Sequence, residues 1–275
     1  MIVVTGATGN VGQPLMQALI AAGEQVTAVS RRVSPQDVPA GVRHQQADLA
    51  QPESLAPALD GAETLFLLTS GDFVAVGGNV SDVLDVAEAG GIRRIVLLSS
   101  QGVATGSHPS TLEDPLTQSD LDWTLLRPGG FDSNTLQWAE MVRTRRMVTA
   151  PFGDVALPTI DPADIAEVAA AVLLDAGHVG KAYVLTGPAP ISPRQQTMAI
   201  SDALGEPVQF VEQSRAEARA QMLQFMPEPI VESTLDILGR PKAAEQQVSP
   251  DLERILGRSP RTFAEWAVRN IAAFE

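Results

Sequence analysis

Cysteine is absent from this chain, tyrosine occurs once, at Tyr183, and lysine only twice, at Lys181 and Lys242. Without cysteine there are no disulfides, no thiolate metal ligands and no cysteine nucleophile. The three histidines, His44, His108 and His178, lie far apart and form no His-x-x-x-His pair, which argues against a transition-metal site. No apolar run approaches membrane-spanning length. The N-terminus enters directly on an apolar strand pattern, so no signal peptide is expected and a cytoplasmic location is. The net charge of −14 argues against direct binding to nucleic acid or to an anionic membrane. What is present is apolar material for a core, 44% of the 275 residues. That suits one large α/β domain with a small appendage, built around a small-molecule ligand.

The organising stretch is MIVVTGATGNVG at the N-terminus. Ile2, Val3 and Val4 form a continuous apolar run, as a strand buried on both faces requires. A glycine loop follows, from Thr5 through Gly6, Ala7, Thr8, Gly9, Asn10 and Val11 to Gly12. The residues from Pro14 onward form an apolar helix that stops at Gly23. Strand, glycine loop and helix in this order predict a phosphate cradle. Glycine allows a tight turn and close approach of a pyrophosphate, and the helix N-terminus offers amide donors and a positive dipole end. Gly6, Thr8, Gly9, Asn10 and Val11 are therefore candidate cofactor ligands.

The second strand, 25–30, ends in Ser30-Arg31-Arg32. An acidic residue here would accept from the ribose 2′-hydroxyl of NAD, whereas arginine accommodates the 2′-phosphate of NADP. Arg31 and Arg32 thus point to NADP(H) in preference to NAD(H); a solvated arginine pair at a strand end is the alternative. Further strands are expected at 42–46, 62–69, 94–99, 122–126, 147–151, 156–160, 181–185 and 208–212. Helices are expected at 73–89, 109–119, from Pro162 to about Asp175, from Ser192 to Gly205, and at 214–225, 230–238 and 261–274. Ligands of open α/β sheets bind outside the carboxyl ends of the strands. That places Leu68, Thr69 and Ser70, and Ser99 and Ser100, beside the cofactor.

TGATGNVG, together with LRPGGF at Leu126–Phe131 followed by Asn134 and Trp138, resembles the short-chain dehydrogenase/reductase superfamily, in particular its atypical NmrA-like branch. The resemblance spans nearly the whole chain and is generic in the C-terminal part. It implies that Asp48 and Leu49 border the adenine, although Asp48 is equally suited to cap a helix beginning near Pro52. It implies that Gly129, Gly130 and Phe131 pass the nicotinamide end of the cofactor. Phe131 and Asn134 would line the substrate pocket, with Trp138 either beside them or in the core. Met222, Phe225 and Met226 form an apolar cluster suited to roof a flat substrate or to fill a core.

The chain departs from the superfamily where catalysis is expected. Typical members carry a Ser or Thr after the fifth strand and a Tyr-x-x-x-Lys pair on the next helix, where Lys lowers the Tyr pKa for proton transfer. Here Gln101 occupies the place of the Ser, and 109–119 contains neither Tyr nor Lys. NmrA-like quinone reductases and sensors often show a His, then Glu-Lys-x-Leu, then a Ser. This chain has His108, Glu113-Asp114-Pro115-Leu116 and Ser119, with Asp114 reversing the charge of the Lys. Gln101 and His108 are the candidate catalytic residues, and His108 equally suits a polar helix start.

The expected architecture is a doubly wound, mainly parallel Rossmann sheet over 1–187, a small α+β substrate lobe over 188–260, and a helix over 261–275 that packs back on the main domain. The expected function is NAD(P)H-dependent reduction of a quinone or similar conjugated aromatic substrate without a Tyr-x-x-x-Lys pair, or a tailoring step in aromatic natural-product synthesis. A non-catalytic NADP(H) sensor is the alternative. Homo-oligomer formation is left open, and no metal is expected.

Overall fold

The computed structural model describes residues 1–74, 76–224 and 227–275. The strands are β1 (Ile2–Thr5), β2 (Val26–Ser30), β3 (Arg43–Gln46), β4 (Thr64–Leu67), β5 (Arg94–Leu98), β6 (Asp122–Pro128), β7 (Met147–Pro151), β8 (Lys181–Leu185) and β9 (Gln209–Gln213). Seven of them form one sheet in the order β3-β2-β1-β4-β5-β6-β8. The pairings from β3 across to β6 are all parallel. This is the doubly wound Rossmann arrangement, in which the order reverses at β1 and opens a crevice between the ends of β1 and β4.

Two compact units interleave along the chain. The first comprises 1–103, 109–127 and 162–184; the second comprises 104–108, 128–161 and 185–275. These differ from a sequential division at 187 and 260: 104–108 and 128–161 join the second unit, and the helix expected over 261–275 to pack back on the main domain instead shares the second unit's core through Phe263 and Trp266.

In the first unit, alternate residues of the central strands face opposite sides of the sheet. Val3, Leu65, Leu67, Ile95, Leu97 and Leu125 pack with Leu55, Leu59, Val80, Val83, Leu84 and Ala87 of the segment 52–59 and the helix Val80–Ala89. Val4, Phe66 and Val96 point the other way and are equally buried. That face is covered by the helices Gly12–Ala21 and Pro162–Leu174, which pack on each other.

The second unit has a parallel pair, β7 with β9, in register from Met147 opposite Gln209 to Pro151 opposite Gln213. Val142, Val148, Ala150, Ile200, Phe263, Trp266 and Phe274 form its core. Three of its helices start on a Ser or Thr with Gln or Glu three residues on: Ser192 with Gln195, Ser214 with Glu217, and Thr262 with Glu265. In each, the hydroxyl accepts an orphan amide and the longer side chain returns to the cap amide. Among the described residues no helix is long and apolar enough to cross a membrane.

Several expected elements are shorter than their sequence patterns. The helix expected from Phe73 begins only at Val80, because the Asn79 side chain caps it by accepting from the Ser81 amide at 3.1 Å. Gly77 ahead of it has φ +89°, and at Gly78 a Cβ would strike the buried Phe73 ring. The helix expected over 109–119 is a single turn, Asp114–Thr117. The expected strand 156–160 makes only isolated bridges, Leu157 with Ile191 and Ile160 with Phe131, since Pro158 has no amide hydrogen to continue a ladder. The last helix covers Phe263–Arg269 and gives way to a tighter 3-10 turn, Ile271–Ala273.

Candidate functional site

The glycine loop sits on a rigid base. The Thr5 hydroxyl, buried at the end of β1, donates to the Leu68 carbonyl at 3.0 Å and accepts from the Leu68 amide at 2.8 Å. This ties β1 to β4 at the point where the strand order reverses. Gly6 has φ +62°, and a Cβ there would lie 2.7 Å from Leu68 Cδ2. At Gly12 a Cβ would lie 2.2 Å from the Gly6 carbonyl oxygen and 2.7 Å from Ala7 Cα. Helix and loop therefore touch backbone to backbone. Gly9 and Asn10 are exposed at the crest of the loop.

The helix Gly12–Ala21 has no acidic residue in its first turn and no side-chain cap bond from Val11. Its positive end is left to whatever anion the loop admits. The residues present thus fit a pyrophosphate: an exposed glycine at the crest of the loop, and a helix N-terminus with no acidic residue in its first turn.

Other residues expected to meet the cofactor follow the ends of the first unit's strands. The Thr8 and Ser30 hydroxyls are hydrogen-bonded at 3.0 Å, which joins the loop to the end of β2. Arg31 and Arg32 follow and are exposed. Arg31 Nη1 is 3.3 Å from Asp72 Oδ2, an ion pair between residues 41 apart that no local pattern announces. Asp48 does not cap a helix near Pro52; that cap position is Gln51, with no side-chain bond. Instead Asp48 Oδ1 accepts from the Ala50 amide at 3.0 Å and its carbonyl accepts from Ser54, so it shapes its own turn. Leu49 is partly buried against the first unit's core.

After β5 the chain makes a helical turn, Gln101–Ala104, where a loop was expected. The Ser100 hydroxyl accepts from the Gly102 amide at 3.0 Å, and Gln101 is buried. The Ser99 hydroxyl donates to Glu113. Glu113, 3% exposed, also takes a two-pronged ion pair from Arg127, with Nε at 2.9 Å from Oε1. The hydrogen bonds to Glu113 raise the pKa of Arg127. Sequence reasoning had Glu113 only as part of an imperfect motif. A charged residue three positions before a buried leucine carries no sign of being buried itself. Asp114, where the family motif has Lys, accepts from the Ser110 hydroxyl at 2.6 Å and braces the single helical turn.

In the second unit, the Gly129 amide donates to Leu185, and Gly130 and Asp132 bond to the two sides of Ile160. The loop from Gly129 to Phe131 is thereby held as a short extended edge. Phe131 is partly exposed and precedes the 3-10 segment Asp132–Trp138, on which Asn134 is exposed. Trp138 packs against the unit's core. Met222 packs against Ala218, Val231 and Leu235 in a satellite core. Phe225 and Met226 lie outside the described residues.

His108 is half-buried, and burial lowers its pKa while the neighbouring Glu245 opposes that shift. The buried Glu245 accepts from Ser107 at 2.6 Å and Thr105 at 3.0 Å. Because the folded pKa of His108 lies below the ordinary 6.5, the unfolded chain takes up its proton first. The histidine's contribution is complete above pH 6.5 and is lost as the pH falls below that value towards the folded pKa. The expected result is a steeper fall in Tm between pH 7.5 and pH 5 for the natural chain than for His108→Asn. Parallel curves would remove this role.

The NAD(P)H-binding family model matches residues 6–176, and the chain belongs to that family. It is 34% identical over 283 residues to the (4-alkanoyl-5-oxo-2,5-dihydrofuran-3-yl)methyl phosphate reductase of Streptomyces griseus, covering 100% of this chain and 99% of that protein. It is 30% identical over 287 residues to the NAD(P)H azoreductase of Xenophilus azovorans, covering 100% and 99%. Among solved structures, the NADPH-dependent quinone oxidoreductase of Escherichia coli superposes with a TM-score of 0.78 at 27% identity, over 98% of this chain and 99% of that one. The first unit's glycine loop, open helix end and strand order are what a nicotinamide dinucleotide requires.

Proposed function

We propose that this protein is an NAD(P)H-dependent reductase of quinones or similarly conjugated acceptors, with NADP(H) preferred. The observation that carries the reading is the segment 109–119. Where a Tyr-x-x-x-Lys pair would supply a proton, this chain has one helical turn and a carboxylate locked by Arg127 and Ser99. An acceptor that needs a strong protein acid is poorly served by that arrangement. A quinone is not such an acceptor, because gaining hydride and one proton makes its ring aromatic, and water can supply the proton. The named relatives act on a quinone, an azo compound and an unsaturated furanone. All three carry a conjugated multiple bond that accepts hydride.

When bound, the reduced nicotinamide supplies the hydride. The chain supplies position: Gly6 to Gly12 and the helix behind them hold the diphosphate, and Arg31 and Arg32 hold the 2′-phosphate. Gly129, Gly130 and Phe131 are assigned to the nicotinamide end, and Phe131 and Asn134 to the acceptor. Proximity and orientation provide most of the rate in such a site. A cytoplasmic setting, where reduced nicotinamide nucleotides are regenerated, belongs to the same reading.

The test is to mix the purified protein with NADPH and a panel of quinones and follow the reduced-nicotinamide absorbance. Quinone-dependent loss well above the protein-free rate is expected. Tight NADPH binding with no turnover on quinones, azo dyes or unsaturated lactones would overturn the enzyme reading in favour of a sensor. Cofactor choice is tested separately. Arg31→Ala is expected to weaken NADPH about tenfold, from roughly 1.5 kcal/mol for a charge-assisted hydrogen bond, and to leave NADH nearly unchanged. Equal losses for both would remove the NADP assignment.

A further inference from the structure

Among the described residues, one of the two arginines after β2 has an acidic partner. Among the described residues Arg32 forms no ion pair, whereas Arg31 is paired with Asp72 at 3.3 Å. The backbone around both partners is held. Gln46 Nε2 donates to the Arg31 carbonyl at 2.8 Å, and the buried Phe73 anchors the turn that carries Asp72, its amide donating to Ser70 at 3.0 Å. The two charged side chains are about half exposed, 53% and 50%. The backbone positions are therefore set, while the two half-exposed side chains leave the guanidinium room to change partner.

We infer that Asp72 is a specificity-determining residue for the cofactor, competing with the 2′-phosphate for Arg31 and so moderating the preference for NADP(H) over NAD(H). The inference rests on the NADP reading above. With a 2′-hydroxyl in place, Arg31 keeps Asp72 and no charge is left unmatched. With a 2′-phosphate in place, the carboxylate must release Arg31 and then lies near a second anion. A hydrogen bond from Ser70, and to a smaller degree the charge of Arg31, holds the Asp72 carboxyl below the usual range, so the competitor stays ionised at neutral pH. An exposed ion pair of this kind is worth a factor of about two to five in an equilibrium. It is strong enough to shift selectivity and weak enough for a phosphate dianion to displace. This is specificity set by an opposing group as well as an attracting one.

The experiment measures Kd for NADPH and for NADH by fluorescence titration of the full chain, as the natural protein, Asp72→Asn, Arg31→Ala and the double variant. Tm values verify that each is folded. Asp72→Asn is expected to tighten NADPH about three- to fivefold, to leave NADH within twofold, and to have no effect on NADPH in the Arg31→Ala background. If Arg31→Ala weakens NADPH selectively while Asp72→Asn changes nothing, the competition is overturned and the NADP reading stands. If Arg31→Ala is not selective, the NADP reading fails and this inference with it. If the tightening persists in the double variant, it is a general charge effect and the competition is overturned.

Discussion

Gly12→Ala is expected to abolish dinucleotide binding and to lower stability by about 2 kcal/mol, within the range for overpacking a tight contact. Two opposing effects act at this position. Gly12 is the first residue of a helix and has no positive φ. Alanine in a helix interior gains up to about 1 kcal/mol over glycine. Here that gain loses to sterics. The added Cβ would lie 2.2 Å from the Gly6 carbonyl oxygen, 2.7 Å from Ala7 Cα and 2.9 Å from Ala7 C. All three are backbone atoms, so no rotamer change relieves the contact, and helix and loop must separate. Separation moves the amide donors that face the diphosphate.

Gly9→Ala is the control. Its Cβ would meet only the Gly6 carbonyl oxygen, at 3.2 Å, on the exposed crest of the loop. It is expected to weaken NADPH by more than tenfold, a loss of at least 1.4 kcal/mol by the usual conversion, with little change in Tm. Thermal unfolding and NADPH titration on the two variants check both statements. A Gly12→Ala protein that is stabilised and still binds NADPH would refute the backbone-contact account.

The second large effect is at Glu113. Removing one partner of a buried ion pair strands the other, at about 3–5 kcal/mol. Arg127 keeps 23% side-chain exposure, which moves the expectation for Glu113→Ala to the lower end, about 3 kcal/mol. That is a large share of the roughly 5–15 kcal/mol that a folded domain has. The Ser99 hydroxyl loses its acceptor at the same time, so the ends of β5 and β6 and the segment 109–119 all loosen. Tm is expected to fall by roughly 6–12 °C, at about 2–4 °C per kcal/mol for a chain of this size.

Adding Arg127→Met to Glu113→Ala removes the stranded charge and is expected to recover part of the loss. A double-mutant cycle reads this coupling directly. If Glu113→Ala lowers stability by less than 1 kcal/mol, the pair is not the brace described here. The same variants distinguish bracing from chemistry. A positioning role lowers turnover in proportion to lost structure, and Glu113→Gln, which retains the shape and one acceptor, is expected to restore most of it.

Local order along the chain was legible wherever one short pattern decides one short structure. The apolar run Ile2 to Val4 formed the central strand because no polar residue interrupts it. Ser192-Pro193 with Gln195, and Gly205 at the far end, bounded a helix because caps and stops act over three or four residues. TGATGNVG gave away the tight turn from strand to helix, because glycine spacing decides where backbone can approach backbone. The doubly wound, mainly parallel sheet followed from the alternation of strand and helix.

What tertiary structure decided are the pairings between segments that no period or spacing connects. Arg31 with Asp72, Glu113 with Arg127 and Ser99, and Asp161 with Arg269 are separated by 14 to 108 residues. Glu113 and Asp161 look solvated in sequence yet are buried, because burial of a charge depends on a partner that local pattern does not reveal. The Asn79 cap and the Phe73 ring against Gly78 cut the helix of 73–89 back to Val80, and such steric and capping contacts exist only once the chain is folded.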